Sequence, residues 1–507
     1  MKNLVVCCDG TWNTPEDMDR GLPSPTNVVK LYNALMRDKR QQVYYHPGVG
    51  TGKGWWDHVV GGGTGRGLDQ NIMSGYRWLG RHYASGDRVF LFGFSRGAYT
   101  VRSLGGLIAK CGLIDLSAVD DPNDVWKRVE DVFAAYRKGV DFENPDGYAF
   151  HNVNARKNRK ESTPIHFIGV WDTVGALGIP DDLALLGLFD NPDRYRFHDT
   201  TLSGAVAHAR HAVALDERRA SFAPTLWSST DPASDVKQIW FPGVHSDVGG
   251  GYLETGLSDG ALVWMLEEAA AKPCGLRIRP RVRKQLKPDP HGVVHDSCTG
   301  VFKALKTRPR AAPQIPQGKA VLHTSTVKRN AYPPLAQGEY WPTTTLKADE
   351  SRTVDVYAVE HWNRTGLYLE AGKSYTFAAS GQWIDQKDRF SAAGHETGGF
   401  HLADIGRLMG SALGEAETLF KNVTGRQADF WMSRRDERAP WFALMGFVAN
   451  THGEDAKTPA DGEMFLIGEK ATFKPKLGGY LYCFANDAWQ TYGNNRGSVA
   501  VTVKRGG

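Results

Sequence analysis

The sequence predicts an α/β fold in which a mostly parallel sheet is flanked by helices, followed by a smaller β-rich domain. In the first half, short continuous apolar runs alternate with longer segments of helical periodicity. Strands buried on both faces by helices have this continuous pattern, and helices between successive strands imply parallel pairing. Beyond residue 350 the stretches become short and alternating, which is typical of antiparallel strands.

The predicted elements follow from these two periods. The predicted strands of the parallel sheet are Leu4–Cys8, Arg88–Phe94, Ile165–Trp171 and Gln238–Val244. The predicted helices are Asn27–Met36, one from Leu68, one from about Arg96, Ala205–Ala214 and Ser258–Ala271. The segment 305–350 is rich in Pro, Lys, Arg and Thr, which marks a domain edge. We therefore predict domains at 1–345 and 350–507, with an insertion at 386–440.

Composition excludes several classes of protein. With 507 residues, 41% hydrophobic and 23% charged, the chain fits a soluble protein of two or three domains. A net charge of +5 is too small for a dedicated nucleic-acid binder. No apolar run is long enough to span a bilayer, and the N-terminus lacks the apolar core of a signal peptide. We therefore expect synthesis in the cytoplasm. The six cysteines show no CxxC spacing, so neither a zinc site nor a disulfide framework is expected.

A candidate nucleophile follows the second predicted strand. The motif G-x-S-x-G spans Gly93 to Gly97 with Ser95 at its centre, after an apolar strand and before a helix. The two glycines allow a tight strand-to-helix turn, where a Cβ would clash, and this turn exposes the serine. An ordinary glycine-flanked turn is the alternative interpretation.

A serine hydroxyl needs a base and a group that orients the base. Asp172 comes just after the third predicted strand and His245 just after the fourth. Carboxyl ends of parallel strands share one edge of the sheet, so we expect these side chains to meet. The order Ser95, Asp172, His245 is that of α/β-hydrolases. The oxyanion hole is predicted to use backbone N–H groups of Arg96 and of Gly10 or Thr11.

Other residues compete for these roles. His208 and His211 share a predicted helix, where a histidine is more often a packing or surface residue. Asp247 is expected to shape the following glycine loop or to contact substrate, and Asp216 and Glu217 to form salt bridges with Arg218 or Arg219. Two rival motifs fail. The nucleophilic position of a dehalogenase-type phosphatase would fall at Cys7, and the glycines at 63, 65 and 67 lack the Lys-Ser/Thr of a phosphate loop.

The first domain resembles a known family. Residues 1 to about 345 resemble the uncharacterised α/β-hydrolase family that includes type VI secretion phospholipase effectors, the Tle lipases. The resemblance is carried by CDGTWN, HPGVGTG, GFSRGAYTVRSLGGLI, GVWDTVGALG, HAVALDERRASFAP and WFPGVHSDVGGGY. It implies a lipolytic enzyme that is injected into rival cells to hydrolyse membrane phospholipids, with a carrier in the secretion machinery and an immunity protein as partners. It also supports Ser95, Asp172 and His245 as the triad.

The C-terminal region resembles the bacterial galactophilic lectins, small calcium-dependent β-sandwiches. The resemblance rests on YTFAASG from Tyr375 and on NDAWQTYGNNRGS from Asn486. It implies that the Ca²⁺ ligands are Asp487, the Thr491 carbonyl, Asn494, Asn495 and, less directly, Asp385. Carboxylate, amide and backbone oxygens are the ligands that Ca²⁺ prefers. A loop without metal is the alternative, and sugar would bind through open coordination positions on the ion.

Three hypotheses about function follow. The first is a serine carboxylester hydrolase, a phospholipase working through an acyl-enzyme without a metal in the hydrolytic step. The second is a calcium-dependent protein that binds galactosides or other glycans. The third is an esterase that acts on a soluble or glycan-linked acyl group.

Overall fold

The structure is a computed structural model that forms two compact units. The first unit comprises Met1–Leu305 and Lys319–Gly338, and the second comprises Lys306–Gly318 and Glu339–Gly507. The structure describes residues 1–10, 18–48, 64–151, 165–174, 202–227, 234–315, 317–318, 320–385, 387–395, 434–450 and 462–507. None of the helices within these ranges has the length and apolar composition needed to cross a membrane.

The first unit is built on a six-stranded parallel sheet. Its strands and one short hairpin are β1 (Asn3–Cys8), β2 (Met18–Asp19), β3 (Leu22–Pro23), β4 (Gln41–His46), β5 (Arg88–Phe94), β6 (Ile165–Trp171), β7 (Val206–Ala214) and β8 (Asp235–Phe241). The sheet order is β4-β1-β5-β6-β7-β8, with parallel pairing throughout. The α/β fold class predicted from the sequence is confirmed.

Helices cover both faces of this sheet. They are α1 (Asn27–Ala34), α2 (Thr64–His82), α3 (Arg96–Cys111), α4 (Pro122–Arg137), α5 (His245–Gly249), α6 (Gly256–Ala270), α7 (Pro280–Gln285) and α8 (Thr324–Ala331), with 3-10 turns at Ala220–Phe222, Gly300–Ala304 and Leu335–Gln337. One apolar core joins the sheet to α2, α3 and α4, and the other joins it to α1 and α6. Burial on both faces explains the continuous apolar runs of β1, β5 and β6.

The strand order defines a switch point between β1 and β5. From β1 the sheet continues to β4 on one side and to β5 on the other. Ligand sites in open α/β sheets lie outside the carboxyl ends of strands at such a point. The residues at these two ends are Asp9 and Gly10 after β1 and Ser95 after β5. The switch point therefore coincides with the predicted nucleophile.

Three predicted elements need correction. His208 and His211 lie in strand β7, between β6 and β8, so the predicted helix at 205–214 is wrong. Pairing with two strands on a buried sheet overrides the helical preference of the alanines in this segment. Helix α2 begins at Thr64, so Gly65 and Gly67 lie within the helix and not in a preceding turn. The fourth predicted strand, β8, runs three residues earlier than predicted, over Asp235–Phe241.

The second unit contains two antiparallel sheets around one apolar core. Its strands are β9 (Ser351–Tyr357), β10 (Asn363–Leu369), β11 (Tyr375–Asp385), β12 (Asp388–Ser391), β13 (Leu444–Ala449), β14 (Glu463–Leu466), β15 (Lys470–Phe473), β16 (Gly479–Ala485) and β17 (Asn495–Arg505), with a 3-10 turn at Tyr492–Asn494. One sheet has the order β10-β16-β13-β14 and the other β12-β11-β17-β9, with β15 also paired to β11.

The core of the second unit lies between its two sheets. Trp383 and Tyr375 of one sheet pack in the same cluster as Leu444 and Leu481 of the other. The Trp383 indole also donates a hydrogen bond to the Phe442 carbonyl at 2.9 Å. Of the segment 386–440, which was predicted to be an insertion, the structure describes β12 paired with β11 and residues 434–440. Residues 396–433 lie outside the described part of the chain.

Candidate active site

Ser95 occupies a strained turn at the start of α3. Its φ is 56° and its ψ is −122°, a conformation that few non-glycine residues adopt. The flanking glycines explain why the turn can form. A Cβ on Gly97 would lie 2.1 Å from the Cys8 carbonyl oxygen, and one on Gly93 would lie 2.4 Å from the Gly97 oxygen. The Ser95 N–H donates to the Trp171 carbonyl at 3.1 Å, which ties the turn to the end of β6.

Asp172 and His245 are joined by a short hydrogen bond. Asp172 Oδ2 lies 2.6 Å from His245 Nδ1, and both residues are buried. Asp172 Oδ1 accepts the backbone N–H of Ala214 at 2.8 Å, so the carboxylate is held by the end of β7. An ionised carboxylate accepts a hydrogen bond from the Nδ1–H group. The proton of the neutral imidazole therefore stays on Nδ1, and Nε2 is the basic nitrogen. This arrangement orients an imidazole as a general base.

Two aromatic rings enclose the imidazole of His245. The Phe94 ring centroid lies 4.5 Å from it, and Phe222 meets it edge-on at 4.9 Å. Close packing extends to Gly249, where a Cβ would lie 1.9 Å from the Phe94 ring. Burial lowers the pKa of His245 below its usual value, although Asp172 opposes this shift. The imidazole is therefore kept neutral and rigid beside the residue that precedes Ser95.

The residues predicted for the oxyanion hole are only partly described. Arg96 is the first residue of α3, where backbone N–H groups point out of the helix end. The Gly10 N–H donates to Asp9 Oδ1 at 2.8 Å. Asp9 Oδ2 accepts the hydroxyl groups of Thr26 at 2.7 Å and Tyr45 at 3.0 Å. Thr11 lies outside the described residues, so the assignment of the second N–H stays a prediction.

The competing residues take other roles in the structure. The His211 ring accepts the Thr173 N–H at 3.0 Å, and His208 pairs with Asp235 at the opposite end of β7. Asp247 accepts the Val244 N–H at 3.0 Å and contacts His295 Nδ1 at 2.6 Å. These contacts support structural roles for all three residues.

Glu217 accepts more hydrogen bonds than the sequence predicted. The expected salt bridge is present, and it joins Glu217 to Arg219 at 2.8 Å. The Glu217 carboxylate also accepts the backbone N–H of His245 at 3.2 Å and the hydroxyl of Ser297 at 2.8 Å. The available signal was its position, three residues after the carboxyl end of β7, where functional groups of a parallel sheet collect.

The predicted calcium ligands share one edge of the second unit. Asp385 of β11 is the cross-strand partner of Asn495 in β17, and the Asn495 amide donates to Asp487 Oδ2 at 2.9 Å. Within the described residues, the side-chain oxygens of Asn494 and Asn495 are buried and accept no hydrogen bond. Burial raises the pKa of Asp487. Buried amide oxygens beside a desolvated carboxylate fit a hard cation such as Ca²⁺.

The part of the chain that the structure describes contains no group of three or more His, Cys, Asp or Glu side chains that could hold a metal ion. The predicted calcium ligands differ from such a group, because most of them are amide and backbone oxygens and only Asp487 and Asp385 are carboxylates.

Comparison with known proteins identifies the first unit. A family model described as "T6SS, Phospholipase effector Tle1-like, catalytic domain" matches residues 2–268. The uncharacterized protein YEL023C of Saccharomyces cerevisiae is 31% identical over 244 residues. That match covers 44% of this chain and 32% of the yeast protein, so the chain matches about a third of its curated relative.

Two solved structures are also similar. An uncharacterized protein from Pseudomonas aeruginosa is 18% identical, with a TM-score of 0.33, and the match covers 57% of this chain and 49% of that one. The EclA N-terminal domain, a PllA-like lectin, is 19% identical, with a TM-score of 0.19, and the match covers 30% of this chain and 94% of the lectin.

Proposed function

Because the chain belongs to the family of Tle1-like catalytic domains of type VI secretion phospholipase effectors, we propose that it is a serine phospholipase with Ser95, His245 and Asp172 as its triad. The observation that carries this proposal is the 2.6 Å contact between Asp172 Oδ2 and His245 Nδ1. Ser95, which has a strained φ, directly follows Phe94, whose ring packs on the His245 imidazole at 4.5 Å. A base with a fixed tautomer is what a serine nucleophile needs.

The proposed reaction proceeds through an acyl-enzyme. Ser95 Oγ attacks the ester carbonyl carbon while His245 Nε2 accepts the hydroxyl proton. The oxyanion is stabilised by the Arg96 N–H and by an N–H of the loop after β1. Collapse breaks the ester bond, and His245 returns the proton to the departing lysophospholipid. Water then attacks the acyl-serine by the same proton transfers, which releases a fatty acid and restores the serine.

Product analysis tests this function. Purified protein is incubated with vesicles of phosphatidylethanolamine and phosphatidylglycerol, and lipids are identified by mass spectrometry. We expect lysophospholipid and fatty acid from the native chain and a rate at least about 10³-fold lower with Ser95→Ala. Ser117→Ala, a change in an exposed loop of the same unit, is the matched control and should leave the rate unchanged.

Two outcomes separate the alternatives. Equal hydrolysis by native protein and Ser95→Ala contradicts the assignment of the nucleophile. Hydrolysis of short acyl esters or glycan-linked acyl groups, without action on the vesicles, favours the third hypothesis, an esterase with another substrate.

A second function is proposed for the second unit. The buried, unbonded oxygens of Asn494 and Asn495 favour a Ca²⁺ site built with Asp487, the Thr491 carbonyl and Asp385. Bound there, Ca²⁺ would offer coordination positions to the hydroxyl groups of a galactoside or another glycan. This module would hold the enzyme on a glycan-bearing surface.

Calorimetry on the full chain tests the calcium site. We expect saturable Ca²⁺ binding that Asp487→Asn removes. Asp349→Asn is the matched control, because Asp349 is an exposed aspartate of the same unit. Galactose and galactosides are then titrated with and without chelator. An absence of Ca²⁺ binding contradicts the site, whereas Ca²⁺ binding without sugar binding leaves the ion a structural role.

The family also suggests how the protein acts between cells. We propose delivery by a type VI secretion system into target cells, with an immunity protein that protects the producer. A competition assay between a producing strain and a susceptible strain measures this. Loss of killing with Ser95→Ala is expected, and killing that is independent of the secretion system would contradict delivery by this route.

A further inference from the structure

We infer that Glu217 and Arg219 form a positioning pair that fixes the backbone and the ring of His245. The inference rests on the proposed function, since it concerns the base of that reaction. Neither residue needs to touch substrate, because each acts on His245 through a contact that the structure contains. Three features support the pair: the hydrogen bonds of Glu217, the packing of Arg219, and the charges of both.

The Glu217 carboxylate is buried and densely bonded. Six described donors reach it: the backbone N–H groups of Arg218, Arg219 and His245, the Arg219 Nε and Nη2 groups, and the Ser297 hydroxyl. The bond to His245 satisfies a backbone N–H at the start of α5, which has no partner within the helix. Glu217 therefore fixes the main chain from which the imidazole projects, while Asp172 fixes the ring.

Arg219 acts on the imidazole through the ring of Phe222. Its guanidinium carbon lies 3.5 Å from the Phe222 ring centroid, and Phe222 meets the His245 ring edge-on at 4.9 Å. Phe94 lies on another side of the imidazole at 4.5 Å. Arg219 therefore holds one wall of the slot that confines the imidazole, and Glu217 holds Arg219 through the 2.8 Å ion pair.

The two residues also act oppositely on the charge of His245. The charged groups that act on its pKa include Asp172 after β6 and Glu217 and Arg219 after β7. Asp247, on the same helix as His245, contacts His295 instead. Burial lowers the pKa of His245 most, Arg219 lowers it further, and Asp172 and Glu217 raise it. In the intact pair the two charges therefore act in opposite directions on the pKa of His245, while their contacts hold its backbone and ring in place.

Because the two charges act in opposite directions on the pKa of His245, removing them one at a time should move the pH profile in opposite directions. A purely structural role would not produce such opposite shifts. The pH dependence of kcat/KM reports the pKa of the base in the free enzyme. Glu217→Gln removes a negative charge, so the acidic limb should move to lower pH. Arg219→Met removes a positive charge, so the limb should move to higher pH. In the double variant the two changes oppose each other, so its acidic limb should lie between those of the single variants.

The control separates charge from packing. Ser297→Ala deletes one hydrogen bond to Glu217 without changing a charge, so it should lower thermal stability and leave the acidic limb in place. Loss of one partner of a buried ion pair is strongly destabilising. If Glu217→Gln does not fold, the upward shift with Arg219→Met still decides the question.

A second readout keeps this inference separate from the proposed function. A fluorophosphonate probe modifies an activated serine whatever the natural ester is, so its labelling rate is measured against pH for each variant. No labelling of the native protein contradicts the proposed serine mechanism. Labelling of the native protein, with limbs that stay fixed or move the same way in both variants, contradicts the positioning pair.

Discussion

The carboxylate of Asp172 holds His245 with one oxygen and the end of strand β7 with the other. The first contact is 2.6 Å to the imidazole Nδ1, and the second is 2.8 Å from the Ala214 N–H. The ring orientation is therefore set by backbone pairing of the central sheet and not by a mobile loop. This contact leads to the first prediction.

Asp172→Asn should lower kcat by about 10³ to 10⁴ with a small effect on KM. An amide in place of the carboxylate favours the wrong tautomer and no longer stabilises the imidazolium. The measurement is steady-state hydrolysis of a short acyl ester, with circular dichroism as a check on folding. A loss smaller than tenfold would remove Asp172 from the triad.

Gly97→Ala should prevent normal folding of the first unit. The new Cβ would lie 2.1 Å from the Cys8 oxygen, a backbone atom that cannot move away cheaply. Gly260→Ala in α6 is the matched control, because the nearest heavy atom to its Cβ would lie 3.9 Å away. The control should gain about 0.5–1 kcal/mol from helix propensity. Urea unfolding measures both, and equal stability of the two variants would argue against the tight turn.

Activity should persist to a lower pH than an ordinary histidine base allows. Burial lowers the pKa of His245, so the imidazole remains neutral below the usual titration range, near pH 6.5. In the unfolded chain this residue takes up a proton more readily, so its contribution makes stability fall as pH drops below that range. The pH profile of kcat/KM checks this, and an acidic limb above pH 7 would contradict it.

His295→Gln should destabilise the protein more at pH 6 than at pH 9. Burial lowers the pKa of His295, but hydrogen bonds to Asp247 and Glu254 raise it above the usual value overall. Its stabilisation is therefore full below the unfolded pKa and is lost as pH rises through the folded one. Loss of charge-assisted hydrogen bonds costs about 1–3 kcal/mol. Urea unfolding at pH 6 and at pH 9 measures the loss of unfolding free energy.

His291→Gln is the control for that experiment. His291 lies in the same loop with an exposed side chain, so the change should be nearly neutral at both pH values. A loss at His295 that does not depend on pH would show that its ring contributes packing on Tyr252 and not charge.

Much of the catalytic unit was predictable because its signals are local. The apolar runs at Arg88–Phe94 and Ile165–Trp171 coincide with β5 and β6 to the residue. The turn at Ser95 follows from two glycines whose Cβ positions are occupied by backbone atoms. Burial on both faces, and the absence of space at a turn, leave traces in residue types that need no knowledge of the rest of the chain.

The remaining features depend on distant partners. Strand β7 reads VAHARHAVA, and its alanines favour a helix until β6 and β8 pair with it. The role of Glu217 depends on Ser297, 80 residues later, and on the start of α5. No short window of sequence contains these contacts. The one local signal for the role of Glu217 was the position of an acidic residue near the end of a strand.

The attachment of Asp172 to β7 also has a consequence for when, during synthesis, the proposed triad can assemble. The acid is locked by the fifth strand of the sheet order, and the base follows the last strand, β8. A nascent chain on the ribosome therefore carries the serine long before it carries a functional base. On the proposed mechanism, hydrolytic activity arises only after β8 has been synthesised and has paired with β7.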